Sequence, residues 1–436
     1  MRIGQTVRHP AKKLYGNARR SILCALTMSA VVILSGCAPS AGDRTSDGAR
    51  FPSDITERLN ATVADAMTLS GSSGALVGVW VPGTGEWVVT PGTTTLRGTV
   101  PLNTKMRFRI GTNTTAMTCT VLLKLVDEHR VKLSDPVSTY LNRVVGIADI
   151  TLGQLCQNTS GLADYATRLA SEFVHNPTRR WPPMELISNS LAAPLSARPG
   201  SVWVQSSTDT TLLGMALKAA TRQDWGSLYR QYIFGPLGLA DTSLPNSKDL
   251  EIPGPHPHGY ATALSRDGQP LCETVLDDTS LSNSMTGVAG GVVSTLADMR
   301  IWAETLATGS MLSDSSAKKP WTTVPLNVTT PSRERNGLGA KQIGSLRGSA
   351  GTIPGFISAI LADPDRAITV VVALNNSSAG DLFAQTLALR LAAIAAGAPS
   401  TTTTQSPTAI LPRSEEPTGT ELQTLAVCPP PLTPTG

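Results

Sequence analysis

The chain has 436 residues, 41% hydrophobic and 16% charged, enough apolar material for a large core in one or two domains. Its formal charge of +4 comes from the first 36 residues, where six cations (Arg2, Arg8, Lys12, Lys13, Arg19 and Arg20) stand without an acid; the remainder carries −2. A near-neutral remainder with no basic cluster speaks against nucleic acid as a partner.

The N-terminus has the plan of an export signal. A basic region ending at Arg19-Arg20 precedes an apolar run over 22–34, which at 13 residues is too short for a stable transmembrane helix. The run ends in Leu34-Ser35-Gly36-Cys37, which fits the bacterial lipobox. Residues 1–36 are therefore expected to be removed, with Cys37 lipidated and the protein held at the extracytoplasmic face of the cell membrane. The Arg19-Arg20 pair leaves twin-arginine export open beside the general secretory route. Residues 37–50 read as a tether.

Ser53 is expected to cap a helix whose Ile55, Leu59 and Val63 recur at i, i+4 and i+8. Strands follow over 74–81 and 86–90, joined at Pro82-Gly83-Thr84-Gly85. Phe108-Arg109-Ile110-Gly111-Thr112-Asn113-Thr114-Thr115 then opens an apolar helix running to about residue 126. A Gly followed by a hydroxyl at a helix N-terminus is a mount for a nucleophile, because backbone N–H groups there favour developing negative charge. Ser134-Asp135-Pro136 predicts another helix, with Pro at its first position. Residues 132–285 are loop- and helix-rich and read as a helical subdomain. A capped helix is expected from Ser294-Thr295 to about residue 306, strands over 337–343, 353–362 and 367–374, and an apolar helix over 383–396. The Thr/Pro/Ser-rich residues 398–436 read as a disordered tail.

Cys119 and Cys156 lie in apolar contexts and read as buried thiols; a Cys272–Cys428 bridge is permitted by the sequence without being supported by it. No Cys/His spacing suggests a metal, and His256-Pro257-His258 reads as an exposed loop. No cofactor is implied.

Eight scaffold motifs, in order over about residues 55–397, carry a resemblance. They are Phe108-Arg109-Ile110-Gly111; residues 122–141, including Leu-Ser-Asp-Pro-Val-Ser-x-Tyr-Leu; Asn158-Thr159-Ser160-Gly161-Leu162; Pro199-Gly200-x-x-Trp203; Leu212-Leu213-Gly214; Gly235-Pro236-Leu237-Gly238-Leu239; Ala289-Gly290-Gly291-x-x-Ser294-Thr295-x-x-Asp298; and Gly351-x-x-Pro354-Gly355-Phe356. The chain resembles the serine β-lactamase-like family of class C β-lactamases, D-alanyl-D-alanine carboxypeptidases and related esterases. The resemblance implies an α+β fold, an antiparallel sheet flanked by helices with an inserted helical subdomain, spanning residues 51–397 with the active site between the two parts.

The family's reactive residues are replaced. Its Ser-x-x-Lys falls on Thr112 and Thr115, its Tyr-x-Asn on Gln205 and Ser207, and its Lys-Thr-Gly or His-x-Gly on Ser349-Ala350-Gly351. An amide cannot relay a proton as the Tyr does. None of the five His falls in a motif, and neither Lys105 nor Lys124 is placed to replace the missing amine. Two readings follow. In one, the site is degenerate and the cleft binds a peptidoglycan-type peptide or glycan, or an envelope partner, with Asn113 and Gly351 as ligand contacts. In the other, Thr112 serves as nucleophile of a carboxypeptidase, β-lactamase or esterase. A third class is a structural lipoprotein without a ligand.

Overall fold

The computed structural model describes residues 50–322, 324–325, 334–365, 368–399 and 415–428. The signal segment 1–36, Cys37 and all of the tether up to residue 49 lie outside the described residues.

Among the described residues twelve strands form: β1 (Ala75–Val81), β2 (Gly85–Val89), β3 (Arg107–Arg109), β4 (Tyr260–Leu264), β5 (Pro270–Asp277), β6 (Val293–Thr295), β7 (Val324–Pro325), β8 (Glu334–Asn336), β9 (Lys341–Ile343), β10 (Leu346–Ile353), β11 (Phe356–Ala362) and β12 (Thr369–Leu374). Eight of them make one antiparallel sheet in the order β2-β1-β12-β11-β10-β9-β8-β7, so the N-terminal hairpin closes against the last strand in the sequence. β3 pairs with β6, and β4 with β5.

The near-continuous apolar runs of β1, β11 and β12 are explained by a sheet covered on both faces. Side chains alternate between two cores. Val77, Val79, Ala359, Leu361, Val370 and Val372 pack with the helices Ser53–Ser70 and Gly380–Ala396 through Leu59, Val63, Leu387 and Leu391. Leu76, Trp80, Ile360, Val371 and Ala373 join the other core, with Met117 and Leu122 of the helix Thr114–Asp127 and Trp302 of the helix Leu296–Thr308. The mixed helix and antiparallel sheet is the architecture the resemblance implies.

Several local expectations are corrected. Pro52, not Ser53, takes the N-cap position of the first helix, and no side chain caps it. Pro136 opens a single 3-10 turn, Val137–Thr139, instead of a helix, because Val137 N–H is drawn to Ile150 O at 2.9 Å and Asp135 accepts from Lys132 N at 2.8 Å. Residues 337–340 are a turn closed by Gly337 N to Ala340 O at 2.8 Å, so only Lys341–Ile343 is strand. The region 132–285 is rich in loops and helices, including Pro183–Leu191 and Ser207–Thr221, and it also holds the β4/β5 hairpin.

Cys119 and Cys156 are not free thiols but a disulfide, because the helices Thr114–Asp127 and Leu152–Cys156 bring their Cα atoms to 5.7 Å. Cys272 and Cys428 form a second bridge. The expectation of a wholly disordered tail is corrected with it: Glu415–Leu425 is a helix, and its Leu422 is buried in the core beneath the sheet.

Candidate functional site

β3 delivers the chain to the site. Phe108 is fully buried, and the buried Arg109 guanidinium donates to Leu250 O at 2.7 Å and Leu281 O at 3.3 Å, which fixes the strand's exit. Burial lowers the Arg109 pKa to about 10, against the nearby charge of Glu251, so it stays a cation at neutral pH. Gly111 then turns at φ +56°, where a Cβ would stand 2.6 Å from the backbone of Thr352. The contact is reciprocal: a Cβ at Gly351 would meet Ile110 O and stand 2.5 Å from Asn113 N. Two glycines let the turn Gly111–Asn113 lie on β10, and Thr112 sits on that turn just before the helix Thr114–Asp127.

Thr112, Thr115, Gln205, Ser207 and Ser349 all line one small cleft, with room of about 50 Å³ for water-sized molecules. Thr112 Oγ1 donates to Ala350 O at 3.4 Å and accepts from Thr352 N at 3.3 Å. Thr115 lies one helical turn on, but its hydroxyl is 3.3 Å from Thr210 Oγ1 and 3.4 Å from Ala289 O. Ser206 caps the helix Ser207–Thr221, accepting from Asp209 N at 3.4 Å, and Ser207 N donates to Asp164 Oδ1 at 2.9 Å; these bonds hold Gln205 and Ser207 on the opposite wall. Ser349 donates to Asn113 Oδ1.

Two residues expected as ligand contacts lie off the cleft lining. Asn113 is fully buried and does not line the cleft: its amide donates to Ser358 Oγ at 2.7 Å and its oxygen accepts from Ser349. Gly351 admits the protein's own backbone, as the turn 110–113 occupies the space a ligand would need.

The remaining wall includes Asn158, Trp203, Asn336, Gly339 and Lys341. Lys341 is the only charged residue among the described lining, and its ammonium is turned away. Its strand pairs it with Gly348, which shares a face of β10 with Ala350; that face meets the helix Gly380–Ala396. The ammonium accordingly donates to Gln385 Oε1 at 3.1 Å and pairs with Glu334 at 3.3 Å. Behind the wall, Asp209 is fully buried, accepting from Ser160 Oγ at 2.5 Å and Asn158 Nδ2 at 3.5 Å. Burial pushes its pKa up to about 8 despite these bonds, so at neutral pH it is a protonated, uncharged carboxyl. The turn 337–340 is tied down by Gly339 N to Cys156 O at 3.0 Å, directly over the Cys119–Cys156 bridge.

A family model described as Beta-lactamase matches residues 59–394. The chain belongs to the Beta-lactamase family. D-alanyl-D-alanine-carboxypeptidase/endopeptidase AmpH of Escherichia coli (strain K12) is 30% identical over 203 residues, covering 45% of this chain and 48% of the relative; the chain thus spans about half the length of that protein. The structure of a D-stereospecific amidohydrolase from Streptomyces sp. superposes with a TM-score of 0.64 at 27% identity, covering 74% of this chain and 93% of that one. The D-amino acid amidase of Ochrobactrum anthropi SV3 shares the fold, with a TM-score of 0.63 at 23% identity over 75% of this chain and 92% of the amidase. As a Beta-lactamase family member the chain keeps the mount and the cleft, and eight hydroxyl or amide residues line it.

Among the described residues no three His, Cys, Asp or Glu gather as a metal ion would require. His258 does not line the cleft; it pairs with Asp277 Oδ2 at 2.7 Å beside the β4/β5 hairpin. Asn336 and Lys341 were not legible as site residues. The signal that could have found them is Gly337-Leu338-Gly339, a turn sequence ten to twelve residues before Ser349.

Proposed function

We propose that this is an exported, lipid-anchored member of the Beta-lactamase family whose cleft binds a cell-wall peptide or glycan, or an envelope partner, without acyl transfer. The observation that carries the reading is the company of Thr112 Oγ1. Its partners are the Ala350 carbonyl and the Thr352 N–H, and the one cationic side chain lining the cleft holds its ammonium against Glu334 and Gln385. Loss of a positioned base costs on the order of 10²–10⁴ in rate, and coupled residues fail together. The lipobox ending at Cys37 supports the anchor. The names of the relatives, a D-alanyl-D-alanine-carboxypeptidase/endopeptidase and a D-stereospecific amidohydrolase, support a peptide containing D-amino acids as the ligand class.

A second reading, hydrolysis through Thr112, is favoured by its place: the residue lines the cleft on the turn that opens the helix Thr114–Asp127. The relatives' enzyme names also support it. Labelling of the chain from residue 38 onward with a fluorescent penicillin and a fluorophosphonate decides between them. No covalent adduct is expected with either probe. An adduct that Thr112→Ala abolishes would overturn the non-catalytic reading.

A further inference from the structure

Trp203 and Gln205 line the cleft, while Val204 between them is exposed and does not. This is the alternation of an extended segment, so both side chains leave the backbone on the cleft side. Val204 N donates to Asn158 O at 2.9 Å, and Ser206, still extended, ends the segment as the cap of the helix Ser207–Thr221. The backbone thus sets the aim of both side chains, and both are half-buried. No hydrogen bond ties the Gln205 amide or the Ser207 hydroxyl to another of the described residues. The hydroxyls of Thr112, Thr115, Ser206 and Ser349, by contrast, are engaged with the protein.

We infer that this cleft takes the pendant acetamido group of an N-acetylated amino sugar, with the Gln205 amide donating to its carbonyl and the Trp203 indole against its methyl. This rests on the reading of the cleft as a wall-ligand site and selects the glycan within it. Size is the first reason. Room of about 50 Å³ holds roughly three to five water-sized positions at about 10–15 Å³ each, which matches the N, C, O and CH3 of an acetamido group. A whole sugar ring or peptide residue is larger than this. A peptide bond within a chain also carries substituents at both ends, whereas an acetamido group hangs by one end and can enter a slot methyl first. Charge is the second reason. The polar lining is hydroxyl and amide, and the one cation there, Lys341, holds its ammonium to Glu334 and Gln385. A free carboxylate would be desolvated without a cation to receive it, whereas a neutral amide needs only a donor and an acceptor. The Gln205 carboxamide and the Ser207 hydroxyl supply both, and Trp203 supplies the apolar face.

The test uses the chain from residue 38 onward and two disaccharides of the same linkage, N,N′-diacetylchitobiose and cellobiose, which differ in carrying acetamido groups or hydroxyls. D-alanyl-D-alanine amide serves as the peptide arm. Calorimetry is expected to give about tenfold tighter binding of the acetylated sugar than of cellobiose. Saturation-transfer NMR on the wild type is expected to place the strongest transfer on the acetyl methyl protons, a readout that needs no variant. Gln205→Met keeps the length of the side chain and removes the amide. It is expected to weaken binding of the acetylated sugar about 3- to 10-fold, with melting curves confirming the fold. Equal affinity for the two disaccharides, or transfer to the ring protons with the methyls silent, overturns the acetamido assignment. Unchanged affinity in folded Gln205→Met overturns the role of Gln205. Binding of D-alanyl-D-alanine amide in place of the acetylated sugar overturns this inference and leaves a peptide-binding cleft standing. A wild type that binds none of the three overturns the inference together with the wall-ligand reading on which it rests.

Discussion

Asp209→Asn is expected to flatten the pH dependence of stability. The Asp209 carboxyl has a pKa of about 8 in the folded chain, raised by burial from an ordinary value near 3.8. Between these two values the folded protein keeps a proton that the unfolded chain has released, so stability falls as pH rises. The slope approaches about 1.4 kcal/mol per pH unit, and integrating from pH 5 to pH 8 gives a loss of roughly 3 to 4 kcal/mol from this one group. Asp278, pushed up to about 7 by burial and by the charge of Asp277, adds a loss of roughly 2 to 3 kcal/mol over the same range. The lowered carboxyls Asp127, Asp224 and Asp277 act the other way, but their stabilisation is complete above their unfolded pKa and constant in this window. The carboxamide introduced by Asp209→Asn would keep the shape and an uncharged polar group beside Ser160 and Asn158. Urea denaturation at pH 5, 6, 7 and 8 should show the variant matching the wild type at pH 5 and exceeding it by about 3 kcal/mol at pH 8, with Asp278 and Asp298, both raised by burial, contributing to the remaining slope. Parallel pH profiles for the two proteins would refute the reasoning, since they would mean that Asp209 is ionised in the folded state.

Two further outcomes are expected. Replacing Cys119 and Cys156 together by Ser opens a bridge across 37 residues and should cost about 4 kcal/mol in the chain-entropy account, read as a lowered urea midpoint. Gly351→Ala places a Cβ 2.5 Å from Asn113 N and 2.8 Å from Thr112 N, against backbone that cannot yield, and should lower stability by about 1–3 kcal/mol. An unchanged melting temperature there would mean that the turn carrying Thr112 is not seated on β10.

What the sequence made legible is what periodicity and local chemistry encode. The alternation in Val77 and Val79, and in Val370 and Val372, announces strands, and the order of the scaffold motifs announces the fold. Thr112, Thr115, Gln205, Ser207 and Ser349 could be named because each stands at a fixed offset from a recognisable Gly or Pro. β10 itself was less visible. Its Leu-Arg-Gly-Ser-Ala-Gly-Thr-Ile has little β-branched alternation, because Gly348 and Gly351 are there to admit neighbouring backbone. The disulfide between Cys119 and Cys156 depends on two helices meeting, which neither cysteine's apolar neighbours reveal. Asn113 and Gly351 looked like ligand contacts by adjacency, yet their duties are internal, and only the packing of the turn on the strand distinguishes the two. Asn336 carries only the turn signal of the Gly337-Leu338-Gly339 that follows it, and an Asn before Gly reads as an ordinary turn residue.

The tie between Gly339 and Cys156 has a mechanical consequence. The helix behind Thr112 is joined covalently to the segment holding Cys156, that segment holds the turn 337–340, and the turn leads through β9 into β10, on which Thr112 rests. The cleft is therefore enclosed by a loop of connections that returns to its starting point, one of them a covalent cross-link. Widening the opening strains every member of that loop at once. A molecule entering such a slot would meet a shape set in advance, so little ordering of the host would oppose entry, and one of the wrong outline would be opposed by that same rigidity.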